Sequence, residues 1–131
     1  MASIFSRIIT GELPAYKIAE DDKHLAFLDV FPLVKGHTLV IPKIEKDDIL
    51  DLSSSAFTEL FAFAQKVGLA IRETIPCRKV GLAVVGLEVP HAHIHLVPLQ
   101  ETADINFLRP KLQLIPSELE EIRLKIIASI N

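Results

Sequence analysis

At 131 residues, 50% hydrophobic and 24% charged, the chain is long enough to bury a core and has the balance of one soluble globular domain spanning 1–131. Its net charge of -3 offers no basic footprint for nucleic acid, though a nucleotide in a local pocket remains compatible with it. The single cysteine, Cys77, excludes a disulfide framework and suits a reducing, cytoplasmic compartment. The N-terminus has no signal-peptide core, and no apolar run approaches the roughly 20 residues that span a membrane.

Ile4, Phe5, Ile8 and Ile9 recur at helical spacing before Gly11 and Pro14, which predicts a short helix with a glycine stop. Tyr16–Ala19 and Leu25–Asp29 read as two short strands around the polar turn Glu20-Asp21-Asp22-Lys23. A loop through Gly36 leads to a β-branched strand, His37–Ile41, which Pro42 ends. Ser53, Ser54 and Ser55 offer caps for the longest helix, whose apolar face is Phe57, Leu60, Phe61, Ala64, Val67 and Ile71. Pro76 closes it. Val80–Val85 is almost wholly apolar, which predicts a central strand covered on both faces. A histidine-bearing strand follows, ended by Pro98. The capping-box sequence Ser117-Glu118-Leu119-Glu120 opens a C-terminal helix with Leu119, Ile122, Ile126 and Ile127 as its stripe. The expected fold is α+β: a mostly antiparallel five-stranded sheet with a long helix packed on it and a C-terminal helix.

The stretch with the most chemistry is His91-Ala92-His93-Ile94-His95-Leu96-Val97, which holds three of the five histidines. Alternate side chains of a strand share a face, so His91, His93 and His95 line one side and Ala92, Ile94 and Leu96 the other. His24 falls outside this pattern and reads as a surface residue.

Two chemistries suit three aligned imidazoles. One is metal binding, since neighbours at i and i+2 can share an ion. His91 and His95 lie roughly 13 Å apart along a regular strand, so all three cannot meet one metal, and no cysteine or acidic cluster completes a site. The other is nucleophilic catalysis by His93, with its second ring nitrogen held by an acceptor that fixes the tautomer. A phosphoryl group fits the flanking histidines, because donors around it stabilise charge on its non-bridging oxygens. Spacing alone names no substrate.

The histidine stretch resembles the defining motif of the histidine-triad (HIT) nucleotide hydrolases and transferases. Ile4-Phe5 with Gly11-Glu12-Leu13-Pro14, then Leu25-Ala26-Phe27-Leu28-Asp29, then Gly36-His37-Thr38-Leu39-Val40-Ile41-Pro42-Lys43 are similar to further family landmarks, in family order. The similarity covers about residues 3–100, leaves 101–131 as a C-terminal extension, and is greatest to the small Hint-type members. It implies His93 as the nucleophile that takes a purine nucleoside monophosphate, with His91 and His95 contacting phosphate and His37 supporting them. It further implies Asp29 as the ribose acceptor, Phe5, Ile8, Leu13, Leu28 and Val30 as walls of the base pocket, and a homodimer with a continuous sheet.

Two departures stand out. Ser3 and Ser6 occupy positions where some members carry zinc-binding cysteines, so no metal and no cofactor are expected. Ahead of the triad, Gly86-Leu87-Glu88 replaces a polar pair that contacts phosphate and leaving group in many members. Leu87 cannot donate a hydrogen bond. Glu88 would repel phosphate when ionised, or serve as a general acid to the leaving group when protonated. The expected function is therefore a nucleotide hydrolase or transferase working through a nucleotidyl-histidine. The alternative is a catalytically weak nucleotide-binding or scaffolding protein.

Overall fold

The computed structural model describes residues 2–130. A six-residue helix, α1 (Ile4–Ile9), precedes strands β1 (Lys17–Glu20), β2 (His24–Leu28) and β3 (Thr38–Pro42). The long helix α2 (Ser54–Thr74), strands β4 (Lys79–Ala83) and β5 (Ile94–Leu99), and helix α3 (Pro116–Ile127) complete the chain. The five strands form one antiparallel sheet in the order β1-β2-β3-β5-β4. Among the described residues, no helix is long and apolar enough to cross a membrane.

Side-chain alternation gives this sheet two apolar faces. On one, Ala26, Leu28, Val40, Ile94 and Leu96 pack with Leu60, Ala64, Val67 and Ile71 of α2 and with Leu119, Ile122 and Ile126 of α3. On the other, Leu25, Phe27, Leu39 and Ile41 pack with Phe5 and Ile8 of α1. The second face is thinner, covered by a single short helix, and it carries His37 and the three histidines of the 91–95 stretch, whereas His24 lies on the first.

The helix ends follow local chemistry. The Ser53 hydroxyl accepts from the Ala56 N–H and starts α2, as its sequence predicts. The Ser3 hydroxyl does the same for α1 from the Ser6 N–H. Helix α3 begins earlier than its capping-box sequence implies: Pro116 is its first residue, and the Glu118 carboxylate accepts from the Ile115 N–H. Proline suits that position because its φ is already helical and its missing N–H is not needed there.

Three further expectations are corrected. The apolar run at Val80–Val85 is not central: β4 stops at Ala83 and is an edge strand, with Leu82, Val84 and Val85 between 40% and 51% exposed. An apolar run records a need for cover but not which element supplies it. His24 is buried, not superficial: it opens β2, its ring stacks on Phe63 at 5.0 Å, and its Nδ1 lies 3.0 Å from Asp21. Finally, the histidine stretch is only partly strand: His91 and His93 lie ahead of β5, which begins at Ile94, and all three triad histidines are buried.

Candidate active site

The approach to the triad is built from two turns. Gly86 adopts φ +70°, a conformation that L side chains resist, and lets the chain reverse before Pro90. Gly36 adopts φ +96°, and a Cβ there would meet Pro98 and Ile75 side-chain atoms at 3.1–3.2 Å. That close approach delivers His37 to the face already occupied by Leu39 and Ile41. The Asp29 N–H donates to the His37 carbonyl (3.0 Å), so Asp29 ends β2 beside His37 on the same face as Phe27.

His93 is oriented by the main chain. Its Nδ1 donates to the His91 carbonyl at 2.7 Å, which places the proton on Nδ1 and leaves Nε2 with a free lone pair. The Phe5 ring meets the His93 ring edge-on at 5.1 Å. No buried side-chain nitrogen or oxygen lacks a partner among the described residues, so this unpaired Nε2 opens to solvent. A cleft of about 230 Å³ lies beside it, between Gly86-Leu87 and the segment Asp47–Ile49.

His95 belongs to a relay. The Leu33 N–H donates to His37 Nδ1 (3.0 Å), which puts the His37 proton on Nε2; that group donates to His95 Nδ1 (2.9 Å). The His95 proton is thereby placed on Nε2, again without a partner and open to solvent. Burial is the main force holding both rings neutral, lowering the pKa of His37 to about 4 and that of His95 to about 3. His95 therefore presents a neutral N–H donor 4.9 Å, ring to ring, from His93, whose Nε2 is a lone-pair donor.

His91 is used differently. It is fully buried and both ring nitrogens are spent. Its Nε2 donates to the Pro42 carbonyl (2.8 Å), and its Nδ1 accepts from the Ser3 hydroxyl (2.9 Å). Glu45 Oε1 accepts from the Ser3 N–H and the Ser6 hydroxyl, both at 2.6 Å, and these bonds, led by that from Ser6, lower its pKa to about 2. A hydrogen-bonded cluster of Ser3, Ser6, Glu45 and His91 thus anchors α1 to the triad. The sequence reading did not single out Glu45; its position just after Pro42-Lys43 was the only available cue.

Asp29 lies within 3.8 Å of His37, and burial pushes its carboxyl above the ordinary value. The donor atoms of Asp29, His37 and His95 lie within 4.8 Å of one another. The facing nitrogens of the two rings, however, already share one proton, and a metal would need both lone pairs. As arranged, His37 and His95 form a hydrogen-bonded pair rather than a ligand set, and Asp29 lies beside them without a hydrogen bond to either ring.

Of the apolar residues expected to wall a base pocket, Phe5, Ile8 and Leu13 gather on the triad face. Leu28 does not join them: strand alternation turns it into the core beneath α2. Val30 is 41% exposed beyond the end of β2. Phe27 takes the inner position instead, 5.5 Å from Phe5, and the alternation Leu25–Phe27 already pointed to it. Leu87 is 89% exposed, and Glu88 is exposed as well, with its charge adding to the upward push on Asp29.

Comparison with known proteins is consistent with this geometry. The family model described as the HIT domain matches residues 10–102. A HIT-like protein of Borreliella burgdorferi is 34% identical, over 97% of each chain. An adenosine 5'-monophosphoramidase of Schizosaccharomyces pombe is 33% identical, covering 96% of this chain and 99% of its own. The crystal structure of a Hit-like protein involved in cell-cycle regulation from Bartonella henselae superposes with a TM-score of 0.84 at 28% identity, covering 97% of this chain and 95% of that one. The chain belongs to the HIT family.

Proposed function

We propose that the protein is a nucleotide hydrolase or transferase that cleaves a phosphoramidate or phosphoanhydride bond of a purine nucleoside monophosphate. The observation that carries this reading is the His93 Nδ1 bond to the His91 carbonyl, which leaves the Nε2 lone pair of the neutral ring free and reaching solvent, on a residue that lines the cleft. Nε2 attacks phosphorus, the bond to the leaving group breaks, and the nucleotide is held on His93. Water then attacks the phosphorus, imidazole departs with its electron pair, and the free monophosphate is released. The His95 Nε2–H donates to a non-bridging oxygen throughout, where its bond strengthens as charge develops. The name of the Schizosaccharomyces pombe relative supports an adenosine phosphoramidate as the first substrate to test.

In this reading Asp29 accepts from the ribose hydroxyls, and Phe5, Ile8, Leu13 and Phe27 wall the base. His91 acts through its position and its carbonyl. No cofactor takes part. The exposed apolar side chains of the β4 edge support a homodimer that continues the sheet, and the solitary Cys77 supports a cytoplasmic setting. The domain extends over 1–131, with residues beyond 102 completing it.

A second reading, a nucleotide-binding protein with little turnover, is favoured by one observation: Leu87 and Glu88 supply no neutral donor at the approach to His93. Adenosine phosphoramidate incubated with the wild-type chain and with His93→Ala separates the two. AMP release that disappears in His93→Ala supports the hydrolase. AMP binding without release by the wild type supports the second reading.

A further inference from the structure

Phosphoryl transfer concentrates negative charge that an active site normally opposes with a cation. Burial holds His37 and His95 neutral, while Asp29 and Glu88 are acids. The lysine whose charge acts on Asp29, His37 and His95 alike is Lys111. Lys111 lies beyond residues 10–102, the part of the chain matched by the family model.

The segment 106–112 passes over the relay. Its Phe107 ring meets His95 edge-on at 4.7 Å and His37 at 6.3 Å. Lys111 folds back across it, Nζ donating to the Phe107 carbonyl (2.7 Å) and the Arg109 carbonyl (3.4 Å). Both acceptors are uncharged, so they fix the ammonium in place without neutralising it. Among the described residues it pairs with no carboxylate, and one of its three protons is left for a ligand. The segment is tied at both ends. The Leu112 N–H donates to the Pro32 carbonyl (2.8 Å), and the Arg109 guanidinium bridges the Ala103 carbonyl and the Asp104 carboxylate.

We propose that residues 106–112 form a strap over the active site, in which Lys111 supplies the positive charge for the phosphate of a bound nucleotide and Phe107 shields the His37–His95 relay from water. The proposal rests on the nucleotide reading above. It makes Lys111 a binding residue and Phe107 a positioning residue, the latter acting through His95.

Titration calorimetry with AMP and with adenosine, at low and high salt, tests the charge. Lys111→Met weakens AMP on the order of five- to tenfold, flattens the salt dependence and leaves adenosine binding unchanged, as expected of a partly screened charge. Lys111→Arg restores most of the AMP affinity. Leu108→Ala, at a residue 94% exposed on the same strap, changes neither. Imidazole NMR of the ligand-free protein tests the shield. The charged and titratable groups facing the relay are His93, Asp29 and Lys111, and Phe107→Ala raises the pKa of His95 toward the ordinary value by admitting water. If the wild type binds AMP and Lys111→Met binds it equally well, the charge assignment to the strap fails while the nucleotide reading stands. An unchanged His95 titration in Phe107→Ala removes the shield. If the wild type binds neither AMP nor adenosine, the nucleotide reading falls, and the role given to Lys111 falls with it.

Discussion

The Ser3 hydroxyl lies 2.9 Å from His91 Nδ1, across 88 residues of sequence, in a region closed to solvent. It donates to a nitrogen whose partner on the ring, Nε2, is committed to the Pro42 carbonyl. One hydroxyl thus caps α1 and completes the anchoring of the triad's first member.

Replacing Ser3 with Ala removes both the α1 cap and the shorter hydroxyl bond to His91 Nδ1, leaving the Ser6 hydroxyl 3.4 Å from that nitrogen, and the expected cost is about 1–2 kcal/mol of stability. Because the carbonyl of His91 holds His93, kcat for phosphoramidate cleavage falls more than KM rises. Chemical denaturation together with steady-state kinetics checks both statements. A variant of unchanged stability would remove the anchoring role.

The relay makes stability depend on pH with a definite sign. His37 and His95 titrate below their ordinary 6.5 in the folded chain, near 4 and 3. Above pH 6.5 neither the folded nor the unfolded chain protonates these rings, and the stabilisation is complete. As pH falls from 6.5 toward 4, the unfolded chain takes up protons that the folded chain refuses, and stability declines. Each ring contributes up to ~1.4 kcal/mol per pH unit within that window. Asp29, raised above its ordinary 3.8 by burial, acts in the opposite sense as pH falls through its folded value toward 3.8. Urea titrations at pH 7.5 and pH 5 should show a loss of stability that shrinks in His37→Gln. A flat profile would contradict the neutral relay.

Glu88→Ser removes a negative charge at the approach to His93 and supplies a hydroxyl. If the carboxylate mainly repels phosphate, AMP binds about two- to tenfold more tightly to the variant, an effect that shrinks with salt. If instead it protonates the leaving group, kcat falls for amine leaving groups and much less for a leaving group of low basicity. Comparing a phosphoramidate with a p-nitrophenyl ester of AMP separates the two roles.

Strand β4 presents an unpaired edge, with Leu82 on it and Val84 and Val85 just beyond its end exposed. A charge on such an edge opposes strand addition. Val84→Lys is expected to shift the chain from dimer to monomer in light scattering, with little change in monomer stability. A wild type that is monomeric at micromolar concentration would remove the dimer from the proposal.

Much of this was legible in the sequence because it follows from periodicity. The stripe of α2, the Ser53 cap, the five strands and the common face of the histidines are all local patterns. The misplacements share a cause: burial is decided by what packs from elsewhere. His24 is covered by Phe63 from a helix some forty residues away, and β4 lies at an edge because nothing pairs beyond it. The same limit hid the second layer of the site. Glu45, Phe107 and Lys111 belong to no motif, and only the fold brings them to His91, His95 and Asp29. Leu28 was assigned to the pocket by similarity, although alternation alone, with Phe27 and Asp29 as its neighbours, turns it away.

The bond from His93 to the His91 carbonyl has a consequence for how substitutions here are interpreted. The acceptor is a main-chain atom, so no exchange of side chains can delete it, and an alanine at position 91 would still carry it. A scan that ranks residues by side-chain loss will therefore undervalue position 91 as an orienting element and record only its role as an anchor. Shifting the peptide itself, by inserting or deleting a residue between His91 and His93, is the change that would expose its contribution.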